Sequence, residues 1–156
     1  MTKFAYIAGP VTGLPDRNRA AFEAARSLVA DILGVPLRTS AGRRSITIPH
    51  DIVWRRDNEA VAMRRCVDWI CDEVEDDTGD LFVVLLPGWR ESLGTAVEVA
   101  LARKLGVTVV ELVDGALIEL ESVILCTDKQ ANECPRCGNS DEHSNPGTSD
   151  QEGQRG

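Results

Sequence analysis

Residues 80–106, DLFVVLLPGWRESLGTAVEVALARKLG, decide the fold of this chain. The stretch opens with an apolar run at 81–86 that is too short to span a membrane and is followed by Pro87 and Gly88. Such a run is typical of a buried parallel strand. Ser92 is a good N-cap, and helix-forming residues continue until Gly106 ends the helix. The pattern therefore predicts a strand, a turn and a helix.

One acidic residue interrupts the apolar pattern of that helix. Glu98 shares a helical face with Gly94, Leu101 and Leu105, at spacings of four, three and seven residues. Its carboxylate is therefore predicted to point toward the core side, near the carboxyl end of the preceding strand. A carboxylate in that position is a candidate functional group.

The chain before this stretch also alternates between strands and helices. Residues 3–8 form a plausible first strand, which runs into a loop with two glycines and two prolines at 9–15. Asp16 or Asn18 can cap the following helix, which ends at Gly34. The apolar stripe of that helix has helical spacing and consists of Phe22, Ala25, Val29 and Ile32.

Further segments complete an α/β pattern. A short strand at 46–48 is followed by a helix at about 56–75, and another strand is predicted at 107–112. After a turn at Asp114-Gly115, residues 116–125 fit either an edge strand or a short helix. The order predicts a doubly wound, Rossmann- or flavodoxin-like parallel sheet of four to five strands with helices on both faces.

Composition limits the functional classes. With 156 residues and 43% hydrophobic content, the chain suits one compact domain. A net charge of −8 argues against binding nucleic acid and favours a small-molecule ligand. Because no apolar run approaches the roughly 18 to 20 residues of a membrane span, a cytoplasmic protein without membrane contact is expected. The odd number of cysteines, five, does not fit a secreted disulfide framework.

The composition changes near residue 126. We predict a folded domain at 1–125 and a disordered acidic tail at 126–156, because the tail has almost no apolar residues. The tail contains one CxxC motif, to which a further cysteine and a histidine can be added as zinc ligands. The four candidate ligands are Cys126, Cys134, Cys137 and His143. An unstructured tail without metal is the favoured alternative, since the spacing matches no strong zinc pattern.

Three segments are predicted to meet at the carboxyl ends of the strands, where open α/β sheets bind ligands. They are the loop at 9–14, the turn at His50, and the segment 87–94. The helix that follows the last of these presents Ser92 and nearby backbone amides to an anion such as a phosphate or carboxylate. An anion site beside the carboxylate of Glu98 suits a phosphorylated sugar whose anomeric carbon must be attacked.

Two motifs resemble a known family. Residues 6–16, YIAGPVTGLPD, with Asn18 and Phe22, resemble the opening of nucleoside 2-deoxyribosyltransferase-like domains, which are common in phages and bacteria. The sequence LLPGW at 85–89 and the pattern SxGxxxE at 92–98 resemble the second hallmark of that group. Together they cover most of residues 4–106. The wider family includes nucleoside 2-deoxyribosyltransferases and 2'-deoxynucleoside 5'-monophosphate N-glycosidases.

The resemblance implies a retaining double displacement on a nucleoside or nucleotide, without a cofactor. Glu98 matches the nucleophile that attacks C1' of the deoxyribose, and Tyr6 matches a tyrosine that orients it. Ser92 and Gly94 match positions that contact the 5' end of the substrate. The resemblance also implies a homodimer or larger homo-oligomer.

The chain departs from the family pattern at the proton donor. Relatives carry an acidic residue in a pattern like Met-Arg-x-Asp, whereas Met63-Arg64-Arg65 is followed here by Cys66. Asp68 is the preferred substitute, so the predicted catalytic residues are Glu98, Tyr6 and Asp68. The predicted substrate-binding residues lie in the three converging segments and are Gly9, Pro10, Thr12, Gly13, His50, Trp89, Ser92 and Gly94.

Each of these residues also has a purely structural explanation. Glu98 can pair with an arginine, Tyr6 can pack at the end of a strand, and Asp68 can belong to a solvated helix face. His50 is more often a capping residue than a ligand, and Trp89 either packs against the protein or stacks on a base. Three functions are therefore compared: an enzyme, a nucleotide-binding module without turnover, and a zinc-dependent interaction protein.

Overall fold

A computed structural model of the protein describes residues 2–76 and 79–120. Strands and helices alternate along this part of the chain, as predicted. The strands are β1 (Thr2–Ala8), β2 (Ile46–Thr47), β3 (Gly79–Leu85), β4 (Thr108–Val113) and β5 (Ala116–Glu119). The helices are α1 (Arg19–Leu33), α2 (Pro49–Ile52), α3 (Glu59–Glu75) and α4 (Leu93–Lys104). Single 3₁₀ turns at Pro15–Asn18 and Trp89–Glu91 precede α1 and α4.

The strands form one mixed sheet in the order β2-β1-β3-β4-β5. The first four are parallel, and β5 pairs antiparallel with β4. The hairpin between β4 and β5 turns through Asp114 and Gly115, both of which have positive φ angles, as a two-residue hairpin turn requires. This arrangement confirms the α/β fold with a mainly parallel sheet and shows that residues 116–119 form an edge strand.

Helices cover both faces of the sheet. On β1, Ala5 and Ile7 belong to a buried cluster shared with α1, whereas Tyr6 and Ala8 belong to a second cluster shared with α3 and α4. This alternation follows from the two-residue period of a strand. The hydrophobic side chains buried with α1 carry no polar atom, although α1 also buries Arg26, which pairs with Asp51. The cluster with α3 and α4 includes the hydroxyl of Tyr6 and the thiol of Cys66.

The predicted helix boundaries hold for two helices and shift for another. Gly34 ends α1 in the left-handed conformation, and the Ser92 side chain caps α4 by accepting from the Thr95 N–H at 3.3 Å. α3 begins three residues later than predicted, because Asn58 caps it by accepting from the Val61 N–H at 3.0 Å. The prediction for β2 was one residue too long, since Ile48 is the N-cap of α2.

The apolar faces of the helices differ in detail from the predicted ones. Ile32 of the predicted α1 stripe is 41% exposed, near the end of that helix. On α4, Glu98 is buried as predicted, but Leu105 of the same predicted face is 38% exposed. The buried side of α4 instead consists of Thr95, Glu98, Val99 and Ala102.

Several predictions fall on residues outside the described part of the chain. These are the boundary near residue 125, the tail at 126–156 and the zinc ligand candidates Cys126, Cys134, Cys137 and His143. Within the described residues, no helix is both long and apolar enough to cross a membrane.

Candidate active site

A pocket of about 810 Å³ opens at the carboxyl ends of β1 and β3. The strand order places β2 on one side of β1 and β3 on the other, so the loops after β1 and β3 diverge at this point. Ligands of open α/β sheets bind at such a switch point. The walls come from the loop after β1, the start of α2, the first half of α3, and the segment from Gly88 to the second turn of α4.

Gly9 allows β1 and β3 to approach each other at the base of the pocket. A Cβ atom on Gly9 would lie 2.8 Å from the Cβ of Leu86, which is closer than side-chain atoms normally approach. The Leu86 N–H also donates to the Ala8 carbonyl at 2.9 Å. The loop then folds over the pocket, where the Asn18 side-chain amide donates to the Pro10 carbonyl at 3.0 Å. This contact uses the side chain that was predicted as a possible helix cap.

A strained turn connects this loop to the opposite wall. Asp16, Arg17 and Asn18 have consecutive positive φ angles of 43°, 55° and 60°, a conformation that costs about 1 kcal/mol or more per non-glycine residue. The turn directs the Arg17 guanidinium toward the carbonyls of Arg55 at 3.0 Å and Trp54 at 3.5 Å. Arg17 therefore links the first loop to the loop between α2 and α3.

Glu98 is the most deeply buried acidic side chain of the pocket, with 4% exposure. The hydroxyl of Tyr6 donates a hydrogen bond to Oε1 of Glu98 at 2.7 Å, and the side chain of Tyr6 has no exposed surface. Burial raises the pKa of Glu98 to about 7, although the hydrogen bonds from Tyr6 and Cys66 act in the opposite direction. The carboxyl is therefore partly ionised near neutral pH.

Cys66 is the third member of this cluster. Its thiol lies within hydrogen-bonding reach of both the Tyr6 hydroxyl and the Glu98 carboxyl, and it lines the pocket. Burial, together with the nearby charge of Glu98, raises the pKa of the Cys66 thiol to about 12. The thiol is therefore a neutral hydrogen-bonding group at physiological pH and a weak acid.

The N-terminus of α4 supplies polar groups to the pocket. Ser92 Oγ accepts hydrogen bonds from the Thr95 N–H and from Thr95 Oγ1, the latter at 3.0 Å. With both lone pairs occupied, the Ser92 hydroxyl hydrogen is left to donate elsewhere. The N–H groups of Leu93 and Gly94 are in the first turn and have no intrahelical carbonyl to bind. This end of the pocket is therefore rich in donors.

The charged groups of the pocket wall are mostly acidic. Four carboxylates line it, and Arg17 is the one Lys or Arg among the described lining residues. The acidic residues are Asp57, Glu59, Glu91 and Glu98. Asp57 is partly neutralised, because Arg65 Nε lies 3.0 Å from its Oδ2. His50 also lines the pocket, and burial together with the charge of Arg19 lowers its pKa.

The structure brings most of the predicted site residues together. Glu98 lines the pocket with Tyr6 directly beneath it. Seven of the eight predicted substrate-binding residues also line the pocket, namely Gly9, Pro10, Thr12, Gly13, His50, Ser92 and Gly94.

Two predicted residues lie elsewhere. Asp68 is exposed on α3 and pairs with Arg64 at 3.4 Å, so it does not face Glu98. Its place two residues, or about half a turn, beyond Cys66 puts it on the solvent side of the helix. Trp89 packs against the buried cluster that β1 shares with α3 and α4, and the Arg90 guanidinium lies 4.5 Å from the centre of its ring. Trp89 does not line the pocket.

Several lining residues were not among the sequence-based candidates, and three of them carry ionisable groups close to the site: Cys66, Asp57 and Glu91. Cys66 occupies the position at which the resembled family has an acidic residue, and that correspondence was the signal that could have identified it. Asp57 lies in the loop between α2 and α3, and Glu91 lies in the 3₁₀ turn before α4; both segments are too short to show a periodic pattern. Their side chains reach the pocket only because of how those loops fold.

Comparison with protein families adds one finding. The family described as "Domain of unknown function (DUF4406)" matches residues 3–111. The chain belongs to this family. The DUF4406 match runs from β1 into β4 and so includes Tyr6, Cys66 and Glu98. No curated protein and no solved structure matches the chain.

Proposed function

We propose that this DUF4406 domain cleaves, or transfers at, the N-glycosidic bond of a 2'-deoxynucleoside or its 5'-monophosphate. The observation that carries the proposal is the buried Glu98 carboxyl, held by the Tyr6 hydroxyl at 2.7 Å at the base of a pocket of about 810 Å³. A side chain held in one orientation is what nucleophilic attack on a sugar carbon requires. The resemblance of the loop after β1 and of the α4 segment to nucleoside 2-deoxyribosyltransferase-like domains supports the same reaction.

In the first step, the ionised Glu98 attacks C1' of the deoxyribose. Because Oε1 accepts the Tyr6 hydrogen bond, Oε2 is the attacking oxygen. The new bond joins Oε2 to C1', while the C1'–N bond breaks and its electron pair leaves with the base. The departing base takes a proton from water, since Asp68 lies outside the pocket and Cys66 is a weak acid.

In the second step, the covalent ester is resolved. Water attacks C1' and loses a proton, the C1'–Oε2 bond breaks, and the ionised carboxylate of Glu98 is restored. A second base that attacks C1' through a ring nitrogen gives transfer in place of hydrolysis. Two inversions at C1' retain the original configuration.

The direct test is a chromatographic screen for released base. The panel consists of the four common 2'-deoxynucleosides and their 5'-monophosphates, with and without an added acceptor base. We expect the wild-type protein to release base from at least one member and Glu98→Gln to release none. Glu75→Gln, an exposed residue at the end of α3, is the matched control and should retain full activity. Release from no member of the panel contradicts the proposal.

A second function, binding without turnover, is favoured by one observation. In the described pocket, the neutral thiol of Cys66 stands beside Glu98 where an acid would protonate the leaving base. A binding module predicts that deoxynucleosides raise the melting temperature of the wild-type protein while no base appears. The screen above, combined with thermal-shift measurements on the same samples, separates the two functions.

We further propose that the protein forms a homo-oligomer through the outer face of α4. Leu93 is 87% exposed and Val97 is 50% exposed, and Ala96 and Ala100 beside them are also exposed. Because Leu93 also lines the pocket, a second copy on this face would help to enclose the site. Sedimentation should find a dimer or larger species, which Val97→Glu converts to monomer. A monomeric wild-type protein contradicts this proposal.

A further inference from the structure

Asp57 brings a nearly buried carboxylate to the pocket wall, in the loop between α2 and α3. Its side chain is 6% exposed, and the residue lines the pocket. Oδ2 accepts a hydrogen bond from the Trp54 N–H at 2.8 Å and lies 3.0 Å from Nε of Arg65. Oδ1 accepts no hydrogen bond from the described residues. Because each carboxylate oxygen can accept two hydrogen bonds, Oδ1 is free to accept from a bound molecule.

Arg17 is bound to the same loop as Asp57 and also lines the pocket. Its guanidinium donates to the Trp54 carbonyl at 3.5 Å and to the Arg55 carbonyl at 3.0 Å. A guanidinium has five N–H groups, so the two hydrogen bonds leave others to donate to a ligand. The backbone of Trp54 therefore holds an acceptor through its N–H and a donor through its carbonyl.

The Trp54 ring helps to hold this loop. The guanidinium of Arg56 lies 4.6 Å from the centre of the ring, and that of Arg65 lies 4.4 Å from it. Each such contact contributes about 0.5–1 kcal/mol at an exposed site. Arg65 also reaches Asp57, so the carboxylate is positioned before a ligand arrives. Groups positioned in this way lose little freedom on binding, which favours specific recognition.

Helix α3 indicates how far this loop lies from the reacting carboxylate. Cys66 of α3 lies beside Glu98, whereas Asp57 precedes the N-cap Asn58. The eight residues from Asn58 to Cys66 correspond to about 12 Å, at about 1.5 Å per residue. The pocket runs along this length, because its lining includes Glu59, Ala62, Met63 and Cys66.

The proposed reaction places the base at the Asp57 end of the pocket. Attack by Glu98 from the back of C1' puts the leaving base on the far side of that carbon. Of the 12 Å of helix length, about 3 Å separates the attacking oxygen from C1' and about 3 Å is taken by a hydrogen bond at the other end. The remaining length, roughly 6 Å, matches the distance from C1' to N1 of a purine. N3 of a pyrimidine lies closer to C1' and falls short.

We propose that Asp57 and Arg17 recognise the outer edge of the base and that the pocket selects a 6-oxopurine, either guanine or hypoxanthine. The N1–H of such a base donates to Oδ1 of Asp57, and its O6 accepts from Arg17. Adenine has the opposite pattern, so its N1 lone pair would face the carboxylate. This inference rests on the proposed function, because it names the base that the same site accepts. Both residues determine specificity and take no part in bond breaking.

Nucleosides altered at the outer edge of the base test this inference. Calorimetric titrations of the Glu98→Gln protein, which should not turn over, compare 2'-deoxyinosine with three other ligands. The comparison ligands are 1-methyl-2'-deoxyinosine, which lacks the N1–H, 2'-deoxyadenosine and thymidine. We expect 2'-deoxyinosine to bind at least about tenfold more tightly than each of them, because each leaves the buried Asp57 oxygen without its donor.

A substitution of Asp57 tests the same contact from the protein side. In the Glu98→Gln background, Asp57→Asn should lower the affinity ratio of 2'-deoxyinosine to 2'-deoxyadenosine by about tenfold, since an amide can donate to N1 of adenine. Asp31→Asn is the matched control and should leave the ratio unchanged. It makes the same substitution at an exposed residue of α1 that does not line the pocket.

The outcomes separate this inference from the proposed function. Equal binding of 2'-deoxyinosine and its 1-methyl derivative overturns the inference and leaves the proposed function standing. Selective binding of 2'-deoxyinosine, with no base released by the wild-type protein, supports the role of Asp57 and overturns the proposed function. Binding of no nucleoside overturns both. Should Asp57→Asn not fold, the comparison of the two deoxyinosines still decides, because it leaves Asp57 in place.

Discussion

The two faces of the sheet differ in what they bury. The face covered by α1 buries an apolar cluster that includes Phe22, Val29 and Ile7. The face covered by α3 and α4 buries Tyr6, Cys66 and Glu98 next to the pocket. Buried ionisable groups are costly unless they are paired: Arg26 on the α1 face pairs with Asp51, whereas Glu98 is held by the uncharged hydroxyl of Tyr6. Consecutive residues of β1 therefore lie in different surroundings, with Ile7 in the apolar cluster and Tyr6 bonded to the carboxylate of the pocket.

The largest expected effect is a loss of activity when Glu98, on the α3–α4 face, is replaced. Glu98→Gln should lower base release by about a thousandfold or more, because it removes the nucleophile. Rates of base release by wild-type and variant protein, each normalised to the folded fraction, measure the effect. Activity within tenfold of the wild type would remove Glu98 from the mechanism.

On the opposite face, Phe22→Ala should reduce stability. Phe22 is fully buried, so truncation should lower the free energy of unfolding by about 3–5 kcal/mol. Urea unfolding measures this loss. The rate per folded molecule should fall far less than in Glu98→Gln, since the Phe22 ring packs against the pocket residue His50 at 5.2 Å but does not touch the Tyr6–Glu98 pair. A small loss of stability with a large loss of rate would reverse the assignment of the two faces.

The buried carboxyl should also cost stability in a pH-dependent way. Because the pKa of Glu98 is raised from its ordinary value of 4.5 to about 7, the folded state binds more protons than the unfolded state between these values. Its contribution to stability is fully present below pH 4.5 and is lost as the pH rises through 7. The loss amounts to about 3 kcal/mol, at about 1.4 kcal/mol per tenfold change in acidity.

Glu98→Gln should therefore be more stable than the wild type at pH 8 and nearly equal to it at pH 4. Unfolding curves at both pH values measure the difference, and Glu75→Gln, an exposed substitution, should not reproduce it. A Glu98→Gln protein that loses stability at pH 8 would mean that the carboxylate is stabilised by partners that outweigh its burial.

A smaller effect is expected from Tyr6→Phe. Removing the hydroxyl takes away the hydrogen bond to Oε1, so the carboxylate is less well oriented and its pKa rises further. We expect kcat to fall about tenfold to a hundredfold. In the wild type, kcat/KM should increase with pH and reach half of its plateau near pH 7, and in Tyr6→Phe this midpoint should move to higher pH. An unchanged midpoint would show that Tyr6 only packs.

The smallest effect is expected from Cys66→Ser. A hydroxyl can donate to Glu98 as the thiol does, so the pH midpoint should move by less than about one unit. Cys66→Ala, which removes the donor, should move the midpoint upward. Rate–pH profiles of the two variants measure this difference. Equal midpoints in both variants would exclude the Cys66–Glu98 hydrogen bond from the tuning of Glu98.

The sequence predicts some of these features better than others. The strand at 81–86, the capped helix after Ser92 and the buried carboxylate of Glu98 follow from local periodicity and end signals, which do not depend on distant contacts. The loop at 9–14 and the Ser92 segment were expected to meet, because strand ends converge in a parallel sheet. Residues 116–125 fitted either an edge strand or a short helix, because their apolar and polar residues alternate imperfectly, and the structure shows a strand at Ala116–Glu119.

Other features depend on tertiary contacts. The position of Cys66 beside Glu98 depends on how α3 packs against α4, and a helical pattern alone did not distinguish it from Asp68. Glu91 reaches the pocket because of the 3₁₀ turn before α4. Arg17 reaches it because three consecutive residues have positive φ angles. Loop geometry of this kind leaves no periodic signal in the sequence.

Peptide mass mapping of the protein during turnover tests the central claim most directly. Samples quenched in acid while a 2'-deoxynucleoside is being consumed are digested, and the peptide that contains Glu98 is examined for an added deoxyribosyl group. We expect this adduct to appear on Glu98 in the wild type, to disappear when substrate is exhausted, and to be absent from the corresponding peptide of Glu98→Gln. Base release by a Glu98→Gln protein at the wild-type rate, with no adduct on Glu98 of the wild type, would contradict the claim.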